Sequence, residues 1–443
     1  MLYRCELRGG VSLPEANSID IFWRQGEAII FQKVYFLWKG VGMSHSSEAS
    51  ASENTVASTK PFGLQLGAVG FAIASFIIIH GISYGVWRLF VDPQVGVWKF
   101  YPQPFGAYLF WAILVIVFIG FNLGMHGFSK LSQPLGGIVT TIVTLALGFA
   151  IPMLLIFGYG QLDPAFSATN YAGHGAAGLI VLIGFYGFGV VANSMDGWPW
   201  TDAGMKQPMV GYAQIFVGFF LTVVGYVALI YPCLASWTAP DRVLMSLPTA
   251  IGWFYSVITV WLTTVLVLDL WPYSTFKTRA GRAMAAFFGN FILGTILYFI
   301  LLALLKNVLI PADALEKIGP AITLWPAQLG VWIVNILLFW ALCCGNAPTS
   351  LSPAMNRIAR VVITYALGIG AFVVYMKWFA IEVLHEAAIV PGFGGDPLTW
   401  VDLLNLILLI FVCYFGFFGI SKKQGANVCT VCGKKDCDCQ ASA

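Results

Sequence analysis

Apolar residues in this chain come in long unbroken blocks, not in the short alternations or one-sided stripes of soluble folds. The blocks lie at roughly 65–90, 105–125, 134–159, 175–194 and 209–235, then at roughly 248–270, 283–306, 325–344, 358–381 and 401–420. A helix rises about 1.5 Å per residue, so about 20 apolar residues cross the roughly 30 Å hydrocarbon core of a bilayer. The pattern therefore predicts an all-α integral membrane protein with about ten transmembrane helices. Trp98, Trp198, Trp200, Trp237, Trp271, Trp325 and Trp400 stand at predicted helix ends, where amphipathic rings anchor to the headgroup layer.

Composition leads to the same class. Of the 443 residues, 59% are hydrophobic and only 10% charged, with a mean hydropathy of +0.81. A soluble domain carries about a quarter charged residues, so the surplus apolar surface must face lipid. The net charge of +3 gives no reason to expect a nucleic-acid partner. The placement of the basic residues is more informative. Lys60, Lys130, Lys206, Lys277, Arg279, Arg282, Arg357, Arg360, Lys422 and Lys423 fall on one side of the predicted membrane. Lys99, Arg242, Lys306 and Lys317 fall on the other. The richer side is read as cytoplasmic and contains both termini, as an even number of crossings requires. The expected location is the cell (inner) membrane.

The connections also hint at a tandem array. Ser132-Gln133-Pro134-Leu135-Gly136 and Lys206-Gln207-Pro208-Met209-Val210-Gly211 both open an outgoing helix, as Thr59-Lys60-Pro61-Phe62-Gly63 does for the first. Asp196-Gly197-Trp198-Pro199 and Asp269-Leu270-Trp271-Pro272 both close an incoming one. Incoming helices begin near Gly106, Gly178, Gly252 and Gly330. The spacing suggests five tandem two-helix repeats. Evenly spaced spans joined by short loops would produce the same period without common descent.

The flanks differ from the membrane domain, which is read as 61–421. Residues 1–60 form a flexible N-terminal segment, Ser/Ala/Glu-rich after Met43, and Met43 is the alternative start. Residues 422–443 form a cytoplasmic tail in which Cys429, Cys432, Cys437 and Cys439 supply four thiols. The Cys-x-x-Cys-Gly turn is the kind that holds zinc. A redox-active or unliganded tail is the other reading.

Ionisable groups deep in a bilayer are costly and usually functional. His80 is the clearest, near the middle of the first block. It reads as a gate or proton-linked residue, or as a neutral imidazole bonded to a neighbouring helix. Arg88, further along the same helix, either snorkels to the outer interface, the favoured reading, or pairs with Asp92. Asp196 and Asp269 occupy matching places and could line a shared inner vestibule or only solvate helix ends. Asn122, Asn290 and Asn335 offer amides along a substrate path, though amides also glue helices together. His174 and His385 lie near the outer edge, where a haem between them is conceivable. Glu382 and His385 share a helical face, as a local metal site would need, but a second Glu-x-x-His is absent from the sequence, which excludes a di-iron bundle. No clear pair of carboxylates appears deep in the membrane, which argues against strong ion coupling.

The sequence contains no nucleotide loop and no constellation of a nucleophile with its base. The leading expectation is a multi-pass permease or channel for a small neutral or weakly charged solute. The alternative is a membrane anchor or subunit of a redox or modifying enzyme complex, docked to a cytoplasmic protein partner through its loops and tail.

Overall fold

A computed structural model of the chain describes residues 63–235 and 243–422. The N-terminal segment with Met43, the connection carrying Trp237 and Arg242, and the tail thiols Cys429, Cys432, Cys437 and Cys439 lie outside the described residues. Within them are ten helices long and apolar enough to cross a membrane. They are α1 (Ala68–Val91), α2 (Phe105–Asn122), α3 (Leu135–Gln161), α4 (Ala172–Asn193) and α5 (Met209–Leu229). The second five are α6 (Leu247–Leu266), α7 (Arg279–Leu309), α8 (Ala312–Cys343), α9 (Pro353–Val383) and α10 (Pro397–Tyr414). The multi-pass character thus stands. Two boundaries moved appreciably. α10 begins four residues earlier than expected and stops at Tyr414, and α8 begins well before its expected start, with a short helical piece at Ala312–Ile318.

The ten helices form two concentric rings. Over their most apolar stretch, the even-numbered spans are 72–78% buried and the odd-numbered ones 22–28%. Each even helix packs on the next: α2 on α4, α4 on α6, α6 on α8, α8 on α10, and α10 back on α2. The inner ring is therefore closed. α3, α5, α7 and α9 each lie outside the inner helix that precedes them in the chain, and α1 lies outside α10. The chain ends seal this last position. β1 (Gln65–Leu66) pairs in parallel with β4 (Ser421–Lys422), so both ends of the described chain meet at one end of the bundle, here called the near end.

Outer helices touch the ring along a narrow stripe, because their remaining faces point to lipid. The stripe keeps a common register. Phe71, Thr144, Gly218, Asn290 and Thr364 are buried, one on each outer helix, at successive steps of 73, 74, 72 and 74 residues. Ser75, Gly148, Thr222, Gly294 and Gly368 follow one turn later with the same steps. Small residues there let backbones approach closely. A Cβ on Gly294 would stand 2.6 Å from the Cα of Val257, and one on Gly368 2.9 Å from the Cα of Ile333.

Every inner helix ends on two consecutive residues in the left-handed region. They are Gly124–Met125, Asp196–Gly197, Asp269–Leu270, Gly345–Asn346 and Gly416–Phe417. A left-handed residue after a helix satisfies its last carbonyls and reverses the chain. Here it turns each inner helix outward toward its partner.

Candidate functional site

At the end of the bundle away from β1 and β4, the far end, the connection between α9 and α10 folds inward. His385 takes a left-handed conformation (φ 57°), and the Glu386 N–H donates to the Ala380 carbonyl at 2.9 Å. β2 (Ala388–Val390) and β3 (Phe393–Gly394) then make a short antiparallel hairpin. Val390 and Phe393 are buried, and Phe393 stacks on Trp325 of α8. Gly395 (φ 112°) closes the hairpin in a place no other residue fits. Its Cβ would stand 2.4 Å from the Ala380 side chain and 2.7 Å from a Glu386 oxygen.

This fold brings two carboxyls together. Glu386 is 4% exposed, and its Oε2 accepts from the Tyr375 hydroxyl at 2.7 Å and from the Asp396 N–H at 2.6 Å. Its Oε1 makes no hydrogen bond. Asp396 accepts from Gln328 Nε2 at 3.2 Å and from the Thr399 hydroxyl at 2.7 Å, and it is bonded to Tyr101. Burial, reinforced by the Asp396 charge, pushes the Glu386 carboxyl up to about 8. Burial and then the charges of Asp396 and Glu386 raise the Tyr101 hydroxyl, so it stays a donor.

Polar groups continue inward along α10. Asp396, at the N-cap, and then Thr399, Asp402 and Asn405 recur at intervals of three, so each stands next to the following one about a turn further along, as i,i+3 neighbours do. Asp402 is 9% exposed and accepts from Asn405 Nδ2 at 3.1 Å. Asn405 in turn accepts from Asn335 Nδ2 of α8 at 2.9 Å. Asn335 and Asn405 stand near the middle of their spans. Among the described residues, none of Glu386, Asp396 and Asp402 forms an ion pair. A line of uncompensated polar groups thus leads from the far end to mid-membrane inside the inner ring.

The site is braced by a second cluster with a different character. Asp92, fully buried, accepts from Arg88 at 2.6 Å and bonds to His385 Nδ1 at 2.9 Å. Backbone N–H groups of Gln94 and Val95 complete its shell. Burial works to raise this carboxyl, but the four hydrogen bonds outweigh it and hold it below its ordinary value. Arg88 therefore pairs with Asp92 and does not simply snorkel. His385 is turned to Asp92, away from any metal role with the exposed Glu382, and among the described residues no three His, Cys, Asp or Glu side chains are placed to hold a metal. His174 is buried at the start of α4 beside Tyr108 and Tyr171, a setting unlike that of His385.

Of the residues singled out from sequence, the far-end line takes in Asn335 alone. His80 is half-buried on α1, where its Nδ1 bonds the Phe76 carbonyl at 3.0 Å and its ring stacks on Phe76. Asn122 is buried at the near end of α2, bonded to the Phe188 carbonyl and to Gln214. Asn290 accepts from the Tyr273 hydroxyl at 2.9 Å. Asp196 lies 3.7 Å from Arg279 and from Arg282 at the start of α7. Asp269 lies 3.5 Å from Arg357 and 3.6 Å from Arg360 at the start of α9. Each aspartate ties one inner helix end to the outer helix of the next hairpin. The Glu386–Asp396 pair lies in the α9–α10 connection, outside both spans, so it leaves untouched the expectation that no clear carboxylate pair sits deep in the membrane. The three-residue spacing from Asp396 through Asp402 to Asn405 was the sequence signal for the inward line.

Comparison with protein-family models, curated proteins and solved structures finds no match.

Proposed function

We propose that this protein is a multi-pass permease for a small neutral or weakly charged solute, with its path inside the inner ring. The observation that carries the reading is the line Asp396–Thr399–Asp402–Asn405–Asn335. Buried polar groups in a membrane interior are kept where they contact cargo or ions, since apolar packing serves stability as well. The near end is the cytoplasmic one in this reading, because Lys130, Lys206, Lys277, Arg279, Arg282, Arg357, Arg360 and Lys422 gather there. The five hairpins are tandem copies of one unit; the common burial register and the five left-handed helix ends support this.

The test is flux into liposomes holding the full chain, with glycerol, urea, methylammonium and acetate as probes. At least one crosses about tenfold faster than into empty liposomes, a difference of about 1.4 kcal/mol in barrier. Asn335→Leu abolishes the excess and His80→Ala, remote from the line, preserves it. Equal rates with and without protein for all four probes refute the permease reading.

A further inference from the structure

We propose that Glu386 and Asp396 form a proton-binding site that latches the far end of the ring: one proton held by the pair keeps the β2–β3 hairpin seated, and its release unseats the hairpin and uncovers the way to Asp402. The site deepens the permease reading by naming the coupling ion. Proton binding itself stands without that reading.

Two observations point there. The two acidic residues lie on either side of one hairpin, and the backbone N–H of Asp396 donates to Glu386 Oε2. Glu386 is over nine-tenths buried, and its Oε1 has no hydrogen-bond partner, a deficit that costs a neutral carboxyl less than an ionised one. The raised Glu386 carboxyl agrees with this geometry.

Surrounding groups do not supply a compensating cation. Tyr375 faces Glu386 from α9, Tyr101 faces Asp396 from the α1–α2 connection, and Gln328 faces it from α8. On α10 the neighbours are Thr399 and, deeper, Asp402. On the α1 side, Arg88 and His385 are engaged by Asp92. Lys317 donates to the Ile389 carbonyl on the outside of the hairpin. When the Glu386 carboxylic acid gives its proton to water at the far surface, it becomes a carboxylate beside Asp396. Two adjacent anions in a dry site repel strongly. The β2–β3 hairpin is the only chain between the two residues, so lifting it is the motion that parts them.

The experiment uses the full chain in lipid nanodiscs, read by infrared difference spectroscopy from about pH 6 to about pH 9.5, a range set to bracket the shifted carboxyl. A protonated-carboxyl C=O band disappears with a midpoint near 8 in the wild type and is missing in Glu386→Gln. Over the same range, amide exchange across residues 387–396, corrected for its intrinsic rate, rises about tenfold in the wild type and stays flat in that variant. Asp396→Asn, which removes the neighbouring charge, moves the midpoint downward. A band that does not titrate in the wild type, or that persists in Glu386→Gln, overturns the proposal. Should Glu386→Gln fail to fold, an unmoved midpoint in Asp396→Asn overturns it equally. A titrating band without solute flux defeats the permease reading and leaves the proton site standing; flux without the band does the reverse.

Discussion

Asn405 is the residue on which the mid-membrane half of the polar line turns. It donates to Asp402 at 3.1 Å and accepts from Asn335 at 2.9 Å. Asn405→Leu fills the same space with an apolar side chain and breaks both bonds. Asp402 and Asn335 are then left buried with one partner fewer each. An orphaned buried polar group costs about 1–3 kcal/mol in water-soluble proteins. Membrane interiors give about 0.6–1.7 kcal/mol per side-chain bond, because the unfolded chain in lipid also finds partners. Two bonds thus predict a loss of about 1–3 kcal/mol. Asn335→Leu breaks one of them and should cost about half as much. The pair shares a contact, so the double variant loses less than the two single losses combined, by about 1 kcal/mol. The assay is reversible unfolding in mixed micelles by added denaturing detergent, followed by tryptophan fluorescence. A double-mutant coupling within about 0.3 kcal/mol of zero refutes the claim that these side chains act as one chain.

Two further outcomes follow from the same geometry. Glu386 has a folded value near 8, above that of an exposed carboxyl, so its burial stabilises nothing when charged. The contribution of Glu386 is therefore fully present below the ordinary carboxylate range and falls by about 1.4 kcal/mol per pH unit between that range and the folded value. Unfolding midpoints taken across that interval should slope downward in the wild type and be level in Glu386→Gln; parallel slopes contradict the assignment. Gly294→Ala drives a methyl to 2.6 Å from the Val257 backbone, where Gly370→Ala meets nothing within 4 Å. The first should cost about 1–3 kcal/mol by overpacking and the second should be near neutral or slightly stabilising. Equal melting temperatures for the two variants would show that α7 does not sit on α6 as described.

The ten crossings were legible because lipid imposes length and polarity directly on the sequence. The ring order was not. Inner α2 and outer α3 have almost the same mean hydropathy, 2.1 and 2.3, because lipid and protein interior are equally apolar neighbours. What separates them is where small residues fall, and Ser75, Gly148, Thr222, Gly294 and Gly368, one on each outer helix at steps of 72–74 residues, carry that signal without any change in hydropathy. The spacing of glycines and prolines in the connections pointed to the same period. His80 drew attention as an imidazole in mid-span, yet its bond stays within its own helix. Asp402 was hidden by a span boundary placed four residues late, which set it at an interface. Glu386 was not singled out, since only the hairpin, a long-range arrangement with no periodic signature, tucks it under cover.

The seam between α10 and α1 has a consequence for how the protein is made. α1 leaves the ribosome before the other nine described spans, yet its resting place is the flank of α10. The Trp87 indole reaches the Leu384 carbonyl across 297 residues of chain, and Gln65 pairs with Ser421. Until synthesis is nearly complete, α1 has no groove to occupy and must wait in the bilayer or with an insertion chaperone, its Ser75 and Ser83 facing lipid. A chain cut short before α10 keeps four finished hairpins but strands this helix, and gives quality control a mark by which to recognise the unfinished product.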